Sequence, residues 1–203
     1  MMKKYNINQT TLKILGLYRD DYRRSLHLRK IARETAVDVK SIQLQLKRLE
    51  RMRIVISTTR GRNKEYSLDL SNLSTKYYMI LAEAFTTITY FRKDFLTKKI
   101  TGELHGRIEG TIILFGSFAK AQVTKESDVD LFVLTEEEPN ALTSTAQEVG
   151  ELVDREISIK SMTETEFLRG LERGDPLIRE VVSEHVILKG IEDFCNIMWR
   201  SHG

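Results

Sequence analysis

Two aspartates two residues apart, in Asp128-Val129-Asp130-Leu131, are the side chains of this sequence best placed to do chemistry. In a strand that spacing puts both carboxylates on one face, roughly 7 Å apart along the chain. Where two such charges converge to roughly 4 Å at an effective dielectric of about 20, they repel by roughly 4 kcal/mol. A divalent cation removes that cost, and a hard ion such as Mg²⁺ prefers carboxylate oxygens plus substrate phosphates. Upstream, the apolar run Ile112-Ile113-Leu114-Phe115 stops at Gly116-Ser117, and ten residues separate Ser117 from Asp128.

Both aspartates need a strand to hold them. The run before Gly116 and the run that Asp128 opens, through Leu131-Phe132-Val133-Leu134, read as buried strands. The chain around them has 203 residues, enough for one domain or two small ones. With 41% hydrophobic and 30% charged residues and two prolines, the composition is globular. No apolar run approaches the ~20 residues that span a bilayer, so no membrane partner is expected. The N-terminal residues lack the apolar core of a signal peptide. The single cysteine, Cys195, excludes an internal disulfide and suits a reducing cytosol, so a cytoplasmic location is expected. His27, His105, His185 and His202 are scattered, without zinc-ligand spacing.

The net charge of +3 hides a partition. Residues 1–70 hold 17 Lys and Arg against 7 Asp and Glu, a net of +10, and the remainder holds 15 against 22, a net of −7. A basic third joined to an acidic remainder implies two domains with different partners.

In the basic third, Asn8 or Thr10 caps a first helix reaching about Asp20, with Leu12, Leu15 and Tyr18 inward. A second helix is predicted over residues 28–35, a tight turn at Ala36-Val37-Asp38, and a third helix over residues 39–51. Val39, Ile42, Leu46 and Leu49 form its inner face. Ile54-Val55-Ile56, a polar loop over 57–63 and the alternating Tyr66–Leu70 segment read as a hairpin. Three helices and a basic hairpin in this order resemble a winged helix-turn-helix. The resemblance implies a third helix in a DNA major groove and a hairpin against the adjacent backbone. The residues expected to meet duplex DNA are Lys40, Ser41, Gln43, Lys47 and Arg48 on the helix, and Arg60, Arg62 and Lys64 on the hairpin. Ser41 and Gln43 are candidates for base edges, and the cations mainly reach phosphates. Leu44 stands apart on the outer face, against a thymine methyl or a partner chain.

Ser71 or Ser74 caps a long connecting helix. Tyr77, Leu81, Ala84, Ile88, Phe91 and Phe95 alternate steps of four and three along it. This stripe is either core against a neighbouring domain or the seam of a homodimer. The β-branched run Thr86-Thr87-Ile88-Thr89 is weak helix material and allows a break there.

The strand, the Gly-Ser and the Asp-x-Asp strand resemble the DNA polymerase β nucleotidyltransferase superfamily, and within it the minimal nucleotidyltransferases. The signature stands here as Phe115-Gly116-Ser117, ten residues, then Asp128-Val129-Asp130-Leu131. The resemblance implies a nucleoside triphosphate and Mg²⁺ or Mn²⁺ as ligands. Gly116 would let backbone approach the triphosphate, and Ser117 would offer a hydroxyl and N–H groups to phosphate oxygens. Asp128 and Asp130 would bind the metal, with two-metal clamping as the expected mechanism. Lys120 stands where many relatives carry Arg or Lys and would touch phosphate, while Ala121 departs from the glycine frequent there. A third, catalytic carboxylate is expected from a later strand. After a helix over 141–153, Glu156-Ile157-Ser158-Ile159-Lys160 alternates with Ile157 and Ile159 toward the core. Glu156 is the candidate, as metal ligand or base, and Asp154 shares its parity.

Thr163-x-x-Glu166 is a capping box, residues 177–184 begin another helix, and Val186-Ile187-Leu188 closed by Gly190 reads as a short strand. A last helix over 191–199 completes the tail. The expected fold class is α+β. An N-terminal winged helix-turn-helix (1–70) is joined by a connecting helix or helices (71–106), a long helix among them, to a nucleotidyltransferase-fold α/β domain with a mixed sheet (107–203). Two functions follow from the resemblances. One is a transferase moving a nucleoside monophosphate from ATP or another nucleotide onto a hydroxyl, a partner protein of a toxin–antitoxin pair being one acceptor. The other is a DNA-binding transcription regulator whose nucleotidyltransferase fold is a sensor or inactive.

Overall fold

The computed structural model describes residues 7–61, 63–120, 122–124 and 127–202. The chain divides into two compact units, Met1–Phe85 with Met198–Gly203, and Thr86–Ile197.

The first unit begins with α1 (Gln9–Gly16), whose start is fixed by Asn8: its side chain accepts the Thr11 N–H at 2.9 Å. A two-residue strand β1 (Leu26–His27) leads into α2 (Leu28–Thr35). Ala36 ends α2 in the left-handed region at φ 53°, and Asp38 then caps α3 (Val39–Arg51) by accepting the Ser41 N–H at 2.9 Å. The turn between the two helices is therefore made by one αL residue and one capping carboxylate. Ile14, Leu15, Ile31, Ile42, Leu46 and Leu49 are buried in this unit. Val39, expected inward, is 45% exposed, because as first residue of the helix it precedes the covered face. Gln45 is buried in its stead and accepts the Thr11 hydroxyl at 3.4 Å.

Strands β2 (Val55–Arg60) and β3 (Asn63–Leu68) pair antiparallel from Val55↔Leu68 to Arg60↔Asn63. The hairpin is thus longer and its turn tighter than the expected polar loop, with Gly61 at φ 61° supplying the reversal. β1 adds to β3 through Leu26↔Tyr66, giving the order β1-β3-β2. The buried Tyr18 hydroxyl donates to the Tyr66 carbonyl at 2.8 Å, tying the segment after α1 to the same sheet.

The connecting helix, α4 (Leu73–Phe91), runs unbroken through Thr86-Thr87-Ile88-Thr89. Thr87 is buried and its hydroxyl donates to the Ile187 carbonyl at 2.8 Å, a tertiary bond that outweighs weak local propensity. The break comes later, where the Asp94 side chain accepts the Thr97 N–H and starts α5 (Phe95–Leu104). The heptad-like stripe is divided: Tyr77, Leu81 and Ile88 are exposed and Phe95 is 77% exposed, whereas Ala84 is half-buried and Phe91 packs against the core that Ile100 and Leu104 join. The buried face is Thr75, Met79, Ala82, Glu83 and Thr87. The reading of the stripe as core holds at Phe91 and is corrected at Tyr77, Leu81, Ile88 and Phe95.

In the second unit, β4 (Thr111–Leu114), the short helix α6 (Gly116–Ala119), β5 (Val129–Leu134), α7 (Pro139–Val153), β6 (Ile157–Met162), α8 (Glu164–Arg173), α9 (Pro176–Ser183), β7 (Val186–Lys189) and α10 (Ile191–His202) follow α5. α10 runs on past this unit's end at Ile197. The sheet order is β6-β5-β4-β7. β4 is antiparallel to both neighbours, and β5 is parallel to β6, so the sheet is mixed. The parallel pair requires a crossover, which α7 provides. Val129, Leu131, Val133, Ile112 and Leu114 turn one face into a core with Ile100 and Leu104 of α5 and Leu142, Ala146 and Val149 of α7. The opposite face carries a chain of aromatics, Phe115–Phe132–Phe167–Phe194, with centroids 5.7–6.5 Å apart. Both faces of β5 are covered, which is why it reads as a nearly continuous apolar run interrupted only by Asp130. The short strand expected at Val186-Ile187-Leu188 is β7, a member of the sheet.

Candidate functional site

The site is built where β4 ends and β5 begins. The Phe115 N–H donates to the Asp130 carbonyl at 3.1 Å, so the exit of β4 is pinned to the entry of β5. Gly116 follows at φ 69°. A Cβ there would stand 2.3 Å from Asp130 Oδ2 and 3.1 Å from its Cγ. Glycine is therefore demanded twice, by the backbone and by the carboxylate packed over it. Ser117 is half-buried, and no side chain caps α6. The loop is braced by the Gln122 N–H on the Ser117 carbonyl at 2.9 Å and by the Tyr90 hydroxyl on the Phe118 carbonyl at 3.1 Å. Tyr90, partly buried, has its hydroxyl pKa pushed up to about 12 by that burial.

Asp130 is half-buried and Asp128 exposed. Burial raises the Asp130 carboxyl above the usual carboxylate range; the Lys160 ammonium opposes this, while Asp128 and Glu180 add to it. Two carboxylates close enough to repel, beside a glycine that admits no side chain, form a donor set suited to one hard divalent cation. Lys120 lies near the same carboxylate and pairs with Glu180 of α9 at 3.4 Å. Ala121 lies outside the described residues.

Glu156 stands beside the start of β5, next in sequence to the Val129↔Ile157 pair. It precedes β6, its carbonyl accepts the Val129 N–H at 2.9 Å, and its exposed side chain lines a groove of about 890 Å³ with Thr143, Gln147, Glu151 and Asp154. Among the described residues no group of three His, Cys, Asp or Glu is placed to hold a metal. The register sets other residues beside Asp130: Ser158 is its Cα partner, and Phe132 is the partner of Lys160. The Lys160 ammonium stands 5.8 Å from the Phe115 ring centroid. Lys160 and Glu180 were missed as site residues. The strand alternation that placed Glu156, Ser158 and Lys160 on one face was the available signal for Lys160, whereas no spacing links α9 to β5.

In the first unit, Lys40, Gln43, Lys47 and Arg48 are exposed along one side of α3, with Leu44 among them at 51% exposure. Ser41 is partly buried, and its N–H donates to the Asp38 carboxylate at 2.9 Å. The Lys64 ammonium on β3 is held by Glu50 at 2.8 Å. Arg60 contributes backbone to β2, and Arg62 lies outside the described residues. No helix among the described residues is long and apolar enough to cross a membrane.

Residues 99–189, under half of the chain, match the family model described as Polymerase beta, Nucleotidyltransferase. The mixed sheet and its helices agree with a nucleotidyltransferase fold. No curated protein matches the chain. Two solved structures are similar in part. One, a crystal structure of a toxin-antitoxin with AMP-PNP, shares 20% identity over 52% of this chain and 82% of that one, with a TM-score of 0.40. The other, tri-AMPylated Shewanella oneidensis HEPN toxin in complex with MNT antitoxin, shares 19% identity over 53% and 81%, with a TM-score of 0.37.

Proposed function

We propose that the Thr86–Ile197 unit binds a nucleoside triphosphate with Mg²⁺ or Mn²⁺ and transfers a nucleoside monophosphate to a hydroxyl acceptor, a partner protein being the leading candidate. The observation that carries this reading is the interlock of Gly116 with the Asp130 carboxylate, which makes the loop and the acidic pair one piece. Asp128 and Asp130 would hold the cation, and Gly116, Ser117 and Lys120 would face the phosphates. The bound cation would supply charge neutralisation at the phosphates. In the transfer, the acceptor oxygen bonds to the α-phosphorus, the α–β phosphoanhydride breaks, pyrophosphate leaves and the hydroxyl proton passes to solvent or a base.

The Met1–Phe85 unit is proposed as a winged helix-turn-helix that binds duplex DNA. Its helix order, its hairpin and the exposed cations of α3 support this reading. A second function, a DNA-binding regulator whose nucleotidyltransferase-like unit only senses nucleotide, is favoured by one observation: no third carboxylate joins Asp128 and Asp130 among the described residues. Lacking a general base costs typically about 10²–10⁴-fold in rate.

Labelled ATP, CTP, GTP and UTP with Mg²⁺ or Mn²⁺ separate the two, using the protein alone and with the product of its neighbouring gene, against an Asp128→Ala/Asp130→Ala double variant. Transfer that vanishes in the variant establishes the enzyme. Nucleotide binding without transfer under every condition establishes the sensor.

A further inference from the structure

We propose that this site takes a single divalent cation, and that the Lys160 ammonium supplies the second positive charge facing the phosphates. The inference rests on the nucleotide-binding reading above and departs from the two-metal expectation.

Three placements carry it. The first is register. In the parallel β5–β6 pair Asp130 stands opposite Ser158, so the position next to the buried carboxylate offers a neutral hydroxyl. Lys160 lies two residues further on the same face of the strand. The second is the ammonium itself, over the ring of Phe115, the residue that leads into Gly116. It thus stands on the side of Asp130 where the loop turns. The third is the fate of the other charged groups. Lys120 is paired with Glu180, whereas Lys160 has no ion pair among the described residues. Glu156 lines the groove along α7 and forms no three-membered acidic cluster with the aspartates.

A second dication needs carboxylates of its own and tolerates no fixed ammonium among them. Phosphate oxygens want such an ammonium, and a lysine is a compact point charge that binds them without coordination geometry. One cation on the aspartates and one lysine therefore divide the triphosphate between them.

The test counts ions on the full chain. Mn²⁺ is titrated into the protein with an α,β-methylene nucleoside triphosphate, which cannot be cleaved at the transferred phosphate, and free Mn²⁺ is read by its paramagnetic resonance. One ion per protein–nucleotide complex is expected beyond what the free nucleotide binds. Lys160→Ala, at an exposed position, keeps the thermal midpoint and that single ion but weakens triphosphate binding about tenfold or more. It leaves nucleoside monophosphate binding nearly unchanged, and Lys160→Arg recovers most of the loss. Two ions in the wild type, falling to one in Glu156→Gln, overturn the inference and leave the nucleotide-binding reading standing. Unchanged triphosphate affinity in Lys160→Ala also overturns it. No bound ion and no nucleotide affinity at all overturn both.

Discussion

A carboxylate resting where a side chain would begin makes Gly116 the least replaceable residue of the site. At φ 69° an alanine meets both the left-handed backbone penalty, about 1–2 kcal/mol, and Asp130 Oδ2 at 2.3 Å. Gly116→Ala is therefore expected to lower the urea midpoint of the protein by an amount worth at least about 1 kcal/mol. Asp38 offers a contrasting test. The Ser41 hydroxyl, and then the Ser41 N–H, hold its carboxyl below the usual aspartate range. Because the folded pKa is the lower one, this contribution is present above the ordinary aspartate value and is lost as pH falls through the folded value. Asp38→Asn keeps a capping oxygen and removes the titration. Its acid-unfolding curve should lack that component while the neutral-pH helix signal stays the same. At this scale the sequence offered Asp128, Asp130, Gly116 and Ser117 as candidates, because their spacing is local. It did not disclose Glu180, which comes from a helix some 50 residues beyond Asp130 and meets it only through the fold.

At the scale of elements, two helix starts were legible from their capping chemistry. Asn8 and the Thr163–Glu166 box stand at the helix starts that their side chains predict. In the box, the Glu166 carboxylate accepts the Thr163 N–H at 2.9 Å while the Thr163 hydroxyl accepts the Glu166 N–H at 3.2 Å. Thr163→Ala should cost about 1 kcal/mol in a chemical denaturation experiment. Strand β1 escaped notice because two residues carry no periodicity, and only its pairing with β3 defines it. The stripe on α4 shows a different limit. Period tells which residues share a face, but not which face is covered. Since Leu81 and Ile88 are 42% and 54% exposed, Leu81→Glu with Ile88→Glu should leave the chain's own stability within about 0.5 kcal/mol per site. A fall of several kcal/mol in the unfolding free energy would mean that the face is covered after all.

Over the whole molecule, the +10 of residues 1–70 set against the −7 of the remainder is what most directly suggests two partners. Duplex affinity of the full chain should drop steeply with added salt. Each phosphate contact contributes about 0.9 to the slope of log affinity against log salt, so Lys47→Ala with Arg48→Ala should reduce that slope by about 2. Competition titrations at several salt concentrations measure it, and an unchanged slope would remove α3 from the interface. Lys64 should contribute less than a free lysine, because Glu50 already holds it. The strands of the sheet were legible from their apolar runs, and its mixed character only through the family resemblance. Its order was not, because β7 pairs with β4 across more than 70 residues of chain.

The interlock at Gly116 also gives the site a direction of inheritance. A descendant gene can shorten Asp130 first and keep its loop, and a side chain at position 116 then meets only the backbone penalty of φ 69°. The reverse order passes through a protein whose loop collides with its own carboxylate. Change at this interlock is therefore a two-step ratchet, with the acid going before the glycine. Sequences that carry a side chain at 116 should be confined to those already lacking the carboxylate at 130.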